Sequence, residues 1–223
     1  MTVRVVVFDF DGVLVDSNAV KRDAYFSIFA RFGDTAQLVA AGLEDQPDGN
    51  RYQVIDRVLC RVRSEGLLPV ERPPEGWVEH LAAAYNAICE EHAATCLEVP
   101  GATECLTGLV GRSALFVNSA TLQEPLRRVV RRRGWEPFFR GIYGAPTSKA
   151  NHLRHILAAE GVRPAEVLLV GDGRRDLVAA QEVGARFVGV HNPFNDFDPT
   201  GLVLIDDLFG LPRLLAEAWE GGR

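Results

Sequence analysis

Asp9 and Asp11 follow a run of valines with one residue between them, in Phe8-Asp9-Phe10-Asp11-Gly12-Val13-Leu14. In extended chain, residues two apart share a side, so both carboxylates can face one place just beyond a strand. Carboxylates held together repel unless a cation or a proton intervenes. The pair therefore suits a metal site, or a nucleophile beside an acid. Gly12 allows the sharp backbone exit that such a site needs. A polar turn would carry the same Asp-Gly dipeptide, so this pair does not decide the matter alone.

Three further junctions carry signals of the same kind. Val170-Gly171-Asp172-Gly173-Arg174-Arg175-Asp176 sets Asp172 straight after an apolar run, with Asp176 one helical turn later. A helix N-cap is the plain alternative for Asp172. Val117-Asn118-Ser119-Ala120-Thr121 offers a hydroxyl and backbone N–H groups where a strand gives way to a helix, which suits an anion. Capping is again the alternative. Lys149 opens a helix after Pro146-Thr147-Ser148, a position that the helix dipole mildly disfavours for a cation. Lysine is scarce here: of 24 basic residues only Lys21 and Lys149 are lysine. Those two positions could need a compact ammonium rather than a planar guanidinium.

The elements that position these residues are legible as an alternation. Apolar strand-like runs stand at 3–8, 114–117, 167–170 and 186–190, with a weaker one at 202–205. Helical patterns at 101–110, 122–133, 149–160 and 174–183 lie between them. Such alternation predicts an α/β fold, a doubly wound parallel sheet with helices on both faces. Ligands of such sheets sit outside the carboxyl ends of the strands. Asp9, Asp11, Ser119 and Asp172 all fall at such ends, with Lys149 beside them. Chance capping at every one of these junctions is the poorer explanation.

Residues 17–96 break the rhythm. They hold helix-period stretches at about 18–32, 50–65 and 75–93, with breaks at Gly33, Pro47-Asp48-Gly49 and Pro69 to Pro74. The expected organisation is a core of residues 1–16 and 97–223 with an inserted all-helical domain, 17–96.

The four motifs, in this order and spacing, resemble the haloacid dehalogenase (HAD) superfamily, and the resemblance covers nearly the whole chain. It lies with the C1-capped phosphatase branch of phosphoglycolate phosphatases and β-phosphoglucomutases. The resemblance implies that Asp9 attacks a phosphomonoester and becomes an aspartyl-phosphate. It implies that Asp11 protonates the leaving alcohol and then activates water. Mg²⁺ is the implied cofactor, with Asp9 and Asp172 supplying carboxylates and Asp11 its backbone carbonyl. Asp176 would hold Lys149 or a metal-bound water. Ser119, Lys149 and the Ala120 N–H would bind the phosphoryl oxygens. Gly12, Asn18, Lys21, Asn118 and Ala120 form the expected substrate-contact set, with Lys21 in the first turn of the first inserted helix. Asp11 together with Gly171-Asp172 favours phosphoryl transfer over dehalogenation. The sequence departs from the family in Ala150, where many relatives have proline, and in Gly173, where a small hydroxyl or amide residue is frequent.

The expected partner is a small phosphorylated metabolite. A phosphosugar mutase, a phosphonatase and a non-catalytic phosphate-binding module remain as alternatives. The 223 residues are 47% hydrophobic and 24% charged, which excludes a disordered chain. A net charge of -6 argues against a nucleic-acid partner. No apolar stretch is long enough to span a membrane. Cys60, Cys89, Cys96 and Cys105 form no CxxC pair, and no signal-peptide layout opens the chain, so the expected location is cytoplasmic. A homodimer is compatible with the sequence. The basic run Arg127 to Arg133 reads as a solvated helix face. Tyr25, Phe26, Phe29 and Phe32 read as core of the inserted helices. His152 and His155, three apart on one helix, lack a third ligand for zinc.

Overall fold

The computed structural model describes residues 2–46, 49–68, 75–193 and 201–220. Contacts divide the chain into two units, Met1–Ser17 with Ala93–Arg223, and Asn18–His92. The breaks expected at Pro47-Asp48 and at Pro69 to Pro74 lie outside the described residues.

Among the described residues the first unit is built on six parallel strands: β1 (Val5–Phe8), β2 (Ala114–Leu122), β3 (Gly141–Ala145), β4 (Val167–Gly171), β5 (Arg186–Val190) and β6 (Val203–Ile205), in the order β3-β2-β1-β4-β5-β6. β1 is central, and its four residues are buried because helices cover both faces. Val6 and Phe8 enter one apolar layer with Leu115, Val117, Leu168 and Val170. That layer packs on helices α5 (Ala102–Leu109), α6 (Gln123–Arg132) and α9 (Leu211–Glu220). Val5 and Val7 enter the opposite layer, closed by α7 (Lys149–Glu160) and α8 (Arg174–Val183). The doubly wound parallel sheet is as the alternation predicts. β3 was not expected: two glycines in five residues weaken its strand signal, and it is an edge strand.

Register sets the level at which the chemistry sits. Phe8 is paired with Val117 on one side and Val170 on the other. The next residues, Asp9, Asn118 and Gly171, therefore stand in a row across the sheet. The Asp9 N–H donates to the Val170 carbonyl at 2.8 Å, so the ladder continues one residue past β1.

The second unit contains α1 (Asn18–Phe29), α2 (Ala36–Asp45), α3 (Arg51–Ser64) and most of α4 (Trp77–Thr95). α2 escaped the periodicity because Gly42 interrupts it. That glycine is demanded by packing, since a β-carbon there would meet the Val58 side chain at 2.4 Å. α3 opens with a capping box in which Asn50 accepts from the Gln53 N–H while Gln53 accepts from the Asn50 N–H. Tyr25 and Phe29 are buried in this unit's own core, with Phe26 and Phe32 packed against it. The Tyr25 and Tyr85 rings lie 4.5 Å apart. Among the described residues no helix is long and apolar enough to cross a membrane.

The basic run has one member that is not a solvated face. Arg133 donates to the carbonyls of Ala93 (2.7 Å) and Cys96 (2.6 Å) and lies over the Trp135 ring. It thus satisfies backbone acceptors at the end of α4. Arg131 pairs with Glu136 at the surface.

Candidate active site

Asp9 leaves β1 as a buried residue, 7% exposed. Its Oδ1 accepts from the Phe10 N–H at 2.7 Å, and its Oδ2 lies 2.8 Å from Lys149 Nζ. Lys149 Nζ also reaches Asp176 Oδ1 at 2.5 Å. One ammonium therefore bridges the end of β1 and the first turn of α8. Burial opposes the charge on Lys149, but Asp176 and Asp9 outweigh it and hold the ammonium above the ordinary lysine range. Ser148 caps the helix that carries this lysine, accepting from the Asn151 N–H at 3.3 Å.

Carboxylate oxygens of Asp9, Asp172 and Asp176 come within 4.8 Å of one another, and all three residues are buried. Burial first, and then the charges of Asp9 and Asp172, push the Asp176 carboxyl upward, while Lys149 pulls the other way. Three acids facing one ammonium leave an excess of negative charge. Hard oxygen donors with that excess fit a magnesium-type cation. Asp172 is held by Asn192, whose Nδ2 donates to Oδ2 at 3.0 Å. Asn192 gave no sequence signal.

Asp11 is oriented differently. Its Oδ1 accepts from the Ser17 hydroxyl at 2.6 Å, and its Oδ2 from the Thr121 hydroxyl at 3.0 Å, with Ser119 Oγ at 3.5 Å. Strand β2 runs on through these residues, with its register to β3 shifting between Asn118 and Leu122. Ser119 and Thr121, two apart, thereby share a side. Strand β2 extends past the apolar run 114–117 and so brings in Thr121, which the apolar pattern does not mark. Ser119 is 2% exposed, and its Oγ accepts from the Thr121 N–H. Gly12 adopts φ +75°, which turns the chain so that its N–H meets the Val15 carbonyl.

Asn118 does something other than its expected substrate contact. Its side chain is fully buried, donating from Nδ2 to the Lys149 carbonyl at 3.0 Å and accepting from His152 at 2.9 Å. Ala120 follows Ser119 on β2. Asn18 and Lys21 stand in the first turn of α1, within the helical unit.

The arrangement offers a carboxylate nucleophile, a second carboxylate held by hydroxyls, a bridging ammonium and an oxygen-only cation site. Residues 6–190 match the family described as haloacid dehalogenase-like hydrolase. A phosphoglycolate phosphatase of Synechococcus elongatus is 28% identical over 222 residues, covering 96% of each chain. A 5'-nucleotidase of Pseudomonas aeruginosa is 28% identical, covering 86% of this chain and 85% of its own. Among solved structures, the HAD hydrolase YfnB of Bacillus subtilis, bound to magnesium, superposes with a TM-score of 0.70 at 16% identity, covering 96% of this chain and 99% of its own.

Proposed function

The chain belongs to the haloacid dehalogenase-like hydrolases and is a phosphatase of that family; from this premise we propose that it hydrolyses a small phosphorylated metabolite through an aspartyl-phosphate on Asp9. The observation that carries the reading is the Lys149 bridge between Asp9 and Asp176 beside the acidic cluster.

Asp9 attacks phosphorus with a carboxylate oxygen, and the bond from phosphorus to the leaving alcohol breaks. Asp11 gives its proton to that alcohol, then takes one from the water that cleaves the aspartyl-phosphate. Inorganic phosphate leaves and Asp9 is regenerated. Lys149, the Ser119 hydroxyl and the Ala120 N–H receive the phosphoryl oxygens as charge spreads over them. Asp176 keeps Lys149 aimed at that place. Mg²⁺ would be held by Asp9, Asp172 and the Asp11 carbonyl, and it would neutralise phosphoryl charge. A magnesium-bound structural neighbour supports that choice of cation.

Residues 17–96 are proposed as the C1 cap, with Asn18 and Lys21 meeting the part of the substrate beyond the phosphate. The relatives' names make 2-phosphoglycolate and nucleoside 5'-monophosphates the first substrates to assay. The test is magnesium-dependent hydrolysis of p-nitrophenyl phosphate together with these metabolites. Asp9→Asn should abolish turnover. Wild-type turnover in Asp9→Asn, or none by the wild type on any phosphomonoester tried, would overturn the reading.

A further inference from the structure

We propose that Asn118 and His152 are positioning residues that set the place of Lys149, and so the phosphate-binding side of the site. The inference rests on the role given to Lys149 above. Asn118 is fully buried near the middle of the sheet, where an apolar residue would pack without polar atoms to satisfy. Both ends of its amide are engaged toward α7. Nδ2 donates to the Lys149 carbonyl at 3.0 Å, and Oδ1 accepts from His152 Nδ1 at 2.9 Å. Because the carbonyl can only accept, the amide must turn its NH₂ to Lys149 and its oxygen to the imidazole. That arrangement assigns the proton of neutral His152 to Nδ1.

His152 is itself fixed. It is 7% exposed and stacks on Tyr143 at 5.1 Å, and His155 stands edge-on to the same ring at 5.7 Å. Tyr143 lies on β3, so β2, β3 and α7 are joined through this cluster. The joint ends on the backbone of the lysine that touches Asp9 and Asp176. Ala150, the next residue of α7, has no ring to stiffen the helix start. Asn118 also precedes Ser119 in β2, so one residue ties together the elements carrying both side-chain phosphate donors. A helix start that drifts carries its long side chain with it, and a misplacement of about 1 Å can lower a rate about a hundredfold.

The test uses the full chain with magnesium and p-nitrophenyl phosphate, and orthovanadate as a phosphoryl mimic. His152→Phe keeps the stacking on Tyr143 and removes the donor, whereas His152→Gln keeps an N–H donor. We expect His152→Phe to lower kcat roughly tenfold and to weaken orthovanadate inhibition by a similar factor, and to lower Tm by a few degrees because the buried Asn118 Oδ1 loses its donor. His152→Gln should recover most of both, and Asn118→Leu should lose more than His152→Phe. Should Asn118→Leu fail to fold, the two His152 variants decide. The proposal is overturned if His152→Phe stays within about twofold of wild type in kcat and vanadate inhibition, whatever its Tm. Lys149→Ala separates the levels. Full activity there removes the role of Lys149, whereas its inactivity beside a fully active His152→Phe removes only the positioning pair.

Discussion

A β-carbon on Gly171 would stand 2.3 Å from the β-carbon of Asp176. Non-bonded carbons rest at about 3.5–4.0 Å, so the Asp176 side chain lies where only glycine leaves room. That close approach brings its carboxylate to Lys149. Gly171→Ala should push Asp176 off the lysine and lower kcat by roughly 10- to 100-fold, as a displaced catalytic group does. The strain should also destabilise the fold by about 1–3 kcal/mol. Steady-state kinetics beside Asp176→Ala check this, and unaltered turnover in Gly171→Ala would break the link.

Asp11 is held by hydroxyls from two segments, Ser17 at 2.6 Å and Thr121 at 3.0 Å. Each bond fixes the carboxylate that must give and take the proton. Ser17→Ala or Thr121→Val should each lower kcat about 10- to 150-fold, the worth of one hydrogen bond to a charged group. KM should change little. A rise in KM alone would mean that these hydroxyls serve binding and not the acid.

The buried acids predict strong metal linkage. Saturating Mg²⁺ at about a hundred times its Kd adds about 2.7 kcal/mol, or roughly 5–10 °C in Tm for a chain of this size. Chelation should reverse the shift. Asp172→Asn should lose most of it, and an equal shift in that variant would place the cation elsewhere.

His152 gives a pH signature. Burial first, and then nearby His155, hold its imidazole below the ordinary value of 6.5. The folded protein therefore resists a proton that the unfolded chain accepts. Its contribution is intact above about pH 6.5 and is lost as pH falls toward the lower folded value. His152→Phe lacks this group, so the gap in Tm between wild type and variant should narrow from pH 7.5 to 5. A constant gap would contradict the shift.

What the sequence disclosed follows from where the signals are strong. The valines of β1 and the apolar run of β4 are buried on both faces, and such runs stand out by composition alone. Asp9, Asp11, Asp172 and Lys149 are legible as candidates because each stands at a junction between elements. Thr121 was hidden because β2 continues past the point where its apolar residues end. Asn192 was hidden because its role lies in a contact across 20 positions with Asp172. Asn118 was seen, but its direction was not, since a residue at a strand end can point to the site or into the next helix. α2 was lost to Gly42, a residue that marks close packing and not a break.

The two chain segments leading into and out of the helical insert are tied together on the sheet's side. The Asp16 N–H donates to the Leu97 carbonyl at 3.0 Å, the Val99 N–H donates to the Leu14 carbonyl, and Val15 forms an antiparallel bridge with Glu98. For the sheet, everything between is a loop whose ends are already closed. Doubling such a loop adds only about 0.6 kcal/mol of closure entropy. Evolution can therefore lengthen, shorten or exchange the insert while the row of acids at the strand ends stays where β1 and β4 put it.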